Sequence, residues 1–282
     1  MATTSNTSFY PTHPNLNLAP SANVNYETGK MIDAYGVEID IPKPLPRTIR
    51  DLNISLLVDR SGSMSNLYTQ TYNSLRDFIN KQTALKVRDE GRVTASLWSF
   101  DNKIEIPWSD VSISDVSITP DDFYPRGMTA LLDCIGTHLS QTLHQHDSCK
   151  NPPKQCIVIM TDGEDNASTM YTREAVFSLI TECKQRGWTF IFMGANQDAI
   201  KTGQYMGLDK DESLTFGANS QDAQESWSAV CDSISRTRSG EDGAFTQTER
   251  SNSHTGSYEI PKAIDLLSQE YNEDQSEGLL RC

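Results

Sequence analysis

The apolar run Ile54, Leu56, Leu57 and Val58 ends on Asp59-Arg60-Ser61-Gly62-Ser63, and a helical pattern follows at once. So compact a run suits a strand buried on both faces, the habit of central strands in a parallel sheet. The same alternation recurs along the chain. Val93 to Phe100 reads as a second strand, and Ile104 to Trp108, after the turn residues Asp101 and Asn102, as an antiparallel edge strand. Cys156 to Met160 and Thr189 to Met193 read as further buried strands, with a short one near Leu214 to Phe216. Between them, helical spacing joins Leu67, Leu75, Phe78 and Ile79, then Leu132, Ile135, Leu139 and Leu143. It returns in Val176, Leu179, Ile180 and Cys183, closed by Gly187, and in Ala223, Trp227, Val230 and Ile234. Parallel neighbours need crossover connections. The alternation therefore predicts an α/β fold, with a mainly parallel central sheet, one antiparallel edge strand and helices on both faces.

This pattern occupies residues 49–238. Residues 1–48 are rich in Asn, Ser, Thr and Pro, close on Pro42, Pro44 and Pro46, and read as a polar arm with a short strand within 34–41. Residues 239–282 read as a polar tail with room for one short helix at 261–271. Hydrophobic residues make up 37% of the 282, which fits a well-packed domain carrying polar extensions. The net charge of −14 opposes nonspecific nucleic-acid binding, which needs clustered Lys and Arg, and opposes anionic membranes for the same reason. No apolar stretch approaches the ~18–20 residues that span a bilayer. Met1-Ala2-Thr3-Thr4-Ser5 has neither a basic start nor an apolar run, so no signal peptide is expected. The six cysteines form no CxxC pair and read as reduced thiols, several of them buried. A cytoplasmic protein is expected.

Three segments end at one rim of such a sheet. In open parallel sheets, ligands gather at the carboxyl ends of the strands, where strand order reverses. Asp59, Ser61 and Ser63 alternate along a loop that Gly62 lets curl, so their oxygens can face one point. Arg126-Gly127-Met128-Thr129-Ala130 leads into a helix and presents the Thr129 hydroxyl. Ile157 to Met160 delivers Thr161-Asp162-Gly163, with Asp162 at the strand's end. The inventory is two carboxylates and three hydroxyls, without His or Cys. Such hard oxygen donors suit Mg²⁺, with Mn²⁺ or Ca²⁺ as substitutes. Two aspartates at most neutralise a dication, so a partner's Asp or Glu could displace a bound water.

The pattern Asp59-x-Ser61-x-Ser63, then Thr129 after Gly127-Met128, then Thr161-Asp162-Gly163, resembles the metal-ion-dependent adhesion site of von Willebrand factor A domains. The likeness covers about residues 51–238 and fills all five motif positions. It implies a Rossmann-like sheet, a bound Mg²⁺ held by Asp59, Ser61, Ser63, Thr129 and Asp162, and protein recognition rather than catalysis. The wording of the first and third segments is similar to intracellular bacterial or phage-type members. Several intracellular relatives serve as adaptors for AAA-type ATPase complexes, which implies that kind of partner too.

Plainer roles compete for the same residues. Asp59, Ser61, Ser63 and Thr129 could cap helices, and Asp162 could sit in an ordinary Asp-Gly turn. Asp101 reads as a turn residue or as an acceptor behind the metal ligands. Glu164 and Asp165 read as solvated surface, and the five histidines, His138, His144 and His146 among them, as surface residues. Phosphoryl transfer would need a second carboxylate two residues after Asp59, where Ser61 stands. The phosphate-loop pattern GxxxxGK[ST] is absent. A structural role in a virion or another assembly, with the extensions as docking arms, is the remaining alternative.

Overall fold

The computed structural model describes residues 23–25, 30–32, 38–40, 51–86, 91–195, 199–217 and 220–253. The chain divides into two units, Met1–Thr48 and Ile49–Cys282. In the first, β1 (Asn23–Asn25), β2 (Lys30–Ile32) and β3 (Glu38–Asp40) pair antiparallel in that order. The third falls inside the fragment 34–41 expected to be extended.

The second unit runs through β4 (Leu52–Asp59), α1 (Tyr68–Lys86), β5 (Val93–Phe100), β6 (Ile104–Ser112) and α2 (Leu131–Ser148). It continues with β7 (Lys154–Thr161), α3 (Arg173–Gln185), β8 (Thr189–Ala195), α4 (Ala199–Tyr205) and β9 (Ser213–Phe216). The helices α5 (Ser220–Arg238) and α6 (Gln247–Asn252) follow. The sheet order is β6-β5-β4-β7-β8-β9. Every pair is parallel except β5–β6, so β6 is the antiparallel edge the sequence predicts, longer by four residues than Ile104–Trp108.

Successive strand residues face opposite sides of the sheet, and here both sides are covered. Ile54, Leu56 and Val58 of β4 join Val158 and Met160 of β7 in a cluster with Leu75 and Phe78 of α1 and Trp227, Val230 and Ile234 of α5. Leu57, Ile157 and Ile159 join the opposite cluster, with Ile135 and Leu139 of α2 and Val176 and Ile180 of α3. Each such side chain contributes about 1.5–3 kcal/mol by leaving water, so the central strands are the most firmly held part of the fold. Gly187 turns the chain after α3 at φ +80°.

Several local features differ from expectation. The seven-residue α4 carries no long apolar repeat, and Ala199 and Gly203 are its buried residues. Past residue 238 the chain turns back onto α5, where Phe245 is buried and Arg236 grips Glu249 through Nη1 at 2.9 Å and Nη2 at 3.1 Å. The helix expected at 261–271 lies outside the described residues. His138 is not a surface residue. It is buried on the inner stripe of α2, edge-on to the Trp98 ring at 4.8 Å, and burial pushes its pKa down to about 3. His144 is exposed and His146 half-buried. Cys134, Cys156, Cys183 and Cys231 are buried free thiols, and Cys149 is exposed. No helix among the described residues is long and apolar enough to cross a membrane.

Candidate metal centre

The chain leaves β4 toward β5 on one side of the sheet, while β7 lies on the other. The reversal of strand order therefore falls between the carboxyl ends of β4 and β7, where an open sheet forms a crevice. Val58 pairs with Met160, which sets Asp59 beside Thr161 and leaves Asp162 just past the end of β7.

Four of the five expected residues form one hydrogen-bonded string. Asp59 is buried, and its Oδ1 accepts from the Ser61 amide at 2.7 Å while its Oδ2 accepts from the Thr161 hydroxyl at 2.6 Å. The Ser61 and Ser63 hydroxyls are 3.0 Å apart, and Ser63 Oγ donates to Asp162 Oδ1 at 2.7 Å. The fifth, Thr129, is buried, and its Oγ1 lies 3.9 Å from where a Cβ on Gly163 would stand. All five thus meet around the β4–β7 crevice. Capping does not explain Ser61 or Thr129. Ser61 precedes a 3-10 turn without making a side-chain capping bond, and the cap position of α2 is Ala130 rather than Thr129.

The loops are sewn together by residues outside the motif. The Gly62 amide donates to Gly127 O at 3.1 Å, and the Arg126 amide to Arg60 O at 2.7 Å. Gly127 adopts φ +73°, and a Cβ there would collide with Asn102 Oδ1, which accepts from the Met128 amide at 2.8 Å. The 163–171 loop is stapled to the amino end of α2. Thr129 N donates to Asn166 Oδ1 and Asp133 N to Ser168 Oγ, while the buried Asp133 carboxylate accepts from the amides of Thr169, Met170 and Tyr171, each at 2.8 Å. Asp165 is not solvated surface: it is half-buried and accepts from Leu132 N at 3.2 Å and from the Ser168 hydroxyl at 2.5 Å. Glu164 is exposed. Asp101 is buried in an ion-paired cluster with Arg60 and Arg126. Sequence reasoning passed over Thr161, Asp133 and Asn166 in this role. The signal for Thr161 was its place one residue before Asp162 on a buried strand.

Burial pushes the Asp59 carboxyl up to about 6, despite donors from Thr161 and Ser61, and the charge of Asp162 raises it further. Asp162 is also raised, by desolvation. No cationic side chain among the described residues lowers either carboxyl. Two crowded carboxylates of the same sign in a partly dry crevice need a counter-charge. With three hydroxyls turned to the same place, the donor set fits a hard divalent cation. A cleft of about 610 Å³ opens at the amino end of β8 instead, lined in part by Trp188, Asp209, Asp211, Glu212 and Asp242. Its carboxylates are engaged by Lys184, Arg250 and the Ala244 amide, so it offers no comparable donor set.

The sequence profile of the von Willebrand factor type A domain matches residues 53–229. No curated protein matches the chain. Among solved structures, the vWF domain of the type V pili tip protein Mfa5 from Porphyromonas gingivalis is similar at 12% identity and a TM-score of 0.50, over 67% of this chain and 97% of that one. Proximal thread matrix protein 1 from the mussel byssus, solved with a zinc-occupied MIDAS motif, aligns at 13% identity and a TM-score of 0.46, over 65% and 45% of the two chains. Manganese-loaded TRAP protein from Plasmodium vivax aligns at 20% identity and a TM-score of 0.37, over 51% and 57%. The chain thus spans less than half the length of the mussel protein. At these identities the likeness concerns the fold alone.

Proposed function

Because the chain belongs to the von Willebrand factor type A domain family, we propose that Asp59, Ser61, Ser63, Thr129 and Asp162 form a complete metal-ion-dependent adhesion site that recruits an acidic residue of a partner protein. The observation that carries this reading is the convergence of those residues on the β4–β7 crevice, with both carboxyls raised by burial and, among the described residues, no cationic side chain lowering either. Mg²⁺ is the proposed native ion, with Mn²⁺ or Ca²⁺ as substitutes, since all the donors are hard oxygens. When bound, the cation supplies Lewis acidity and a coordination position that a partner carboxylate can take.

The chain's own residues do the rest. Asp59 and Asp162 supply the charge, and the hydroxyls of Ser61, Ser63 and Thr129 supply neutral donors. Thr161 and the Ser61 amide orient Asp59. On the chain segments that lead to Thr129 and follow Asp162, Tyr124, Met128 and Met170 are 62%, 51% and 65% exposed. Large apolar side chains held out in water suit a protein partner. We propose binding rather than catalysis, because the place two residues beyond Asp59 holds Ser61, which cannot act as an acid or base. A cytoplasmic adaptor in a larger complex, in the manner of bacterial or phage-type members, is the setting proposed.

Two measurements test this. Calorimetry with Mn²⁺ and Mg²⁺ is expected to give one site, lost in Asp59→Ala and Asp162→Ala with the fold intact by circular dichroism. Unchanged binding in either variant removes that residue from the centre. A pull-down with and without EDTA, using full-length protein, is expected to recover a partner only when metal is present. Robust Mg²⁺-dependent phosphatase or ATPase turnover, abolished by Asp59→Ala, would replace the binding reading with an enzymatic one.

A further inference from the structure

Arg60 stands between two proposed ligand residues, yet its side chain is 1% exposed. Its Nε is 3.1 Å from Asp101 Oδ2 and its Nη1 donates to Glu105 Oε2 at 2.6 Å. Arg126, on the loop that carries Thr129, reaches the same two carboxylates: its Nε donates to Asp101 Oδ2 at 2.8 Å and its Nη2 to Glu105 Oε1. Two guanidinium groups and two carboxylates therefore form a closed square. The backbone repeats the link, since Arg126 N donates to Arg60 O and Ala130 N to Asp101 O at 3.0 Å. The ionic network thus spans the Asp59–Ser63 loop, the turn after β5 and the loop that carries Thr129.

Stability alone is a poor reason for this arrangement. Burying a guanidinium costs solvation, and a buried ion pair often stabilises no more than an apolar replacement. Among the described residues, neither Nε nor Nη2 of Arg60 has a hydrogen-bond partner although both are buried, and Nε is met only by the ionic contact with Asp101, so the charge is not fully compensated. What the square does supply is geometry. A forked cation held by two carboxylates resists sliding and rotation, and the residue it fixes is flanked by Asp59 and Ser61.

We propose that Arg60 is a positioning residue of the metal centre: through Asp101, Glu105 and Arg126 it holds the Thr129 loop in coordinating register with Asp59, Ser61 and Ser63. This rests on the metal reading above. The network acts through Thr129, so its removal matters for binding only while Thr129 is there to be misplaced. A merely structural role would weaken binding regardless of Thr129.

The test is a double-mutant cycle on the full chain with Mn²⁺ as the probe, followed by electron paramagnetic resonance. Glu105→Gln is the first variant, because Glu105 is half exposed and its loss leaves Asp101 to pair both arginines. It is expected to weaken Mn²⁺ binding about tenfold in the otherwise native protein. In a Thr129→Ala background the loss should be no more than about twofold. Arg126→Gln, at the exposed end of the network, should give the same pattern. In EDTA, amide exchange at Arg126 and Gly62 should speed up in Glu105→Gln while the amides of Leu56 and Val158 keep their protection. Equal fold-losses in both backgrounds, or unchanged exchange at Arg126 and Gly62, would overturn the proposal. Native protein that binds Mn²⁺ while Glu105→Gln binds it equally well would sink this inference alone. Native protein that binds no Mn²⁺ would sink the metal reading and this inference together.

Discussion

The Thr161 hydroxyl donates to Asp59 Oδ2 at 2.6 Å, joining residues that lie 102 positions apart. Parallel pairing of β4 with β7 makes the contact inevitable once Val58 sits opposite Met160. The bond favours the ionised carboxylate and fixes which way it faces. Thr161→Val keeps the shape of a fully buried side chain and removes the donor. It is expected to weaken Mn²⁺ binding about tenfold, as loss of a ligand-orienting partner generally does. It should also raise the Asp59 pKa in the metal-free protein, since that hydrogen bond lowers it. Calorimetry at two pH values reads both effects.

Asp59 makes the metal-free protein pH-dependent. Its pKa is raised from 3.8 to about 6 by burial, so folding favours the protonated form. The stability this lends is fully present below 3.8 and is lost as pH rises through about 6. At neutral pH the ionised carboxylate then costs on the order of 2–3 kcal/mol. Asp59→Asn, neutral at every pH, should therefore melt higher than the native protein in EDTA at pH 7, with the difference shrinking toward pH 4. Added Mg²⁺ should stabilise the native protein and leave the variant unchanged. A native protein that melts higher than Asp59→Asn in EDTA at pH 7 would contradict this.

Strands buried on both faces leave the plainest trace in a sequence: β4, β7 and β8 were legible as short, largely apolar segments, and β5 as the stretch Val93 to Phe100, whose apolar residues are interleaved with Thr94, Ser96 and Ser99. So were the helices whose inner stripe is aliphatic. The seven residues of α4 bury Ala199 and Gly203, which carry too little apolar surface to mark a period. Residues 239–253 read as a polar tail because what docks them is one phenylalanine and one ion pair, Phe245 and Arg236–Glu249. His138 follows the Leu131–Ile135 stripe at helical spacing, yet a polar residue type hides that it is core. At the candidate site, the meeting of Asp59, Ser61, Ser63, Thr129 and Asp162 was legible because each sits at or just past a strand end or at a helix start. Arg60 and Asp133 were not. Their partners lie 45 and about 37 residues away, and no local pattern reports a contact that tertiary structure creates.

Asp133 is the residue that holds the Asp162 loop. Its buried carboxylate accepts amides from Thr169, Met170 and Tyr171, which ties that loop to α2. Removing a charged acceptor leaves three donors unsatisfied in a partly dry setting. Asp133→Ala is expected to cost about 3 kcal/mol of stability. Exchange protection should disappear first at those three amides. Metal affinity should fall as well, because Asp162 and Gly163 belong to the same loop. A variant with native melting temperature and intact protection at 169–171 would refute the assignment.

Variants of Met128 and Met170 are expected to separate the proposed partner capture from the proposed metal binding. Both are more than half exposed, while their backbone amides are pinned, Met128 by Asn102 and Met170 by Asp133. The chain thus spends two ordered loop positions on large apolar side chains that the core does not use. Neither residue offers a hard oxygen ligand, so Met128→Ser and Met170→Ser should leave Mn²⁺ affinity within about twofold of native. Each would take thioether surface out of the proposed protein contact, in which the metal is the anchor, and a few well-covered side chains carry most of the energy of such a contact. EDTA-sensitive capture of the partner should therefore fall about tenfold in the double variant while the calorimetric metal titration stays the same. Equal capture by native and double-variant protein would confine recognition to the metal and its ligands, and loss of Mn²⁺ binding would mean that the methionines support the loops rather than the partner.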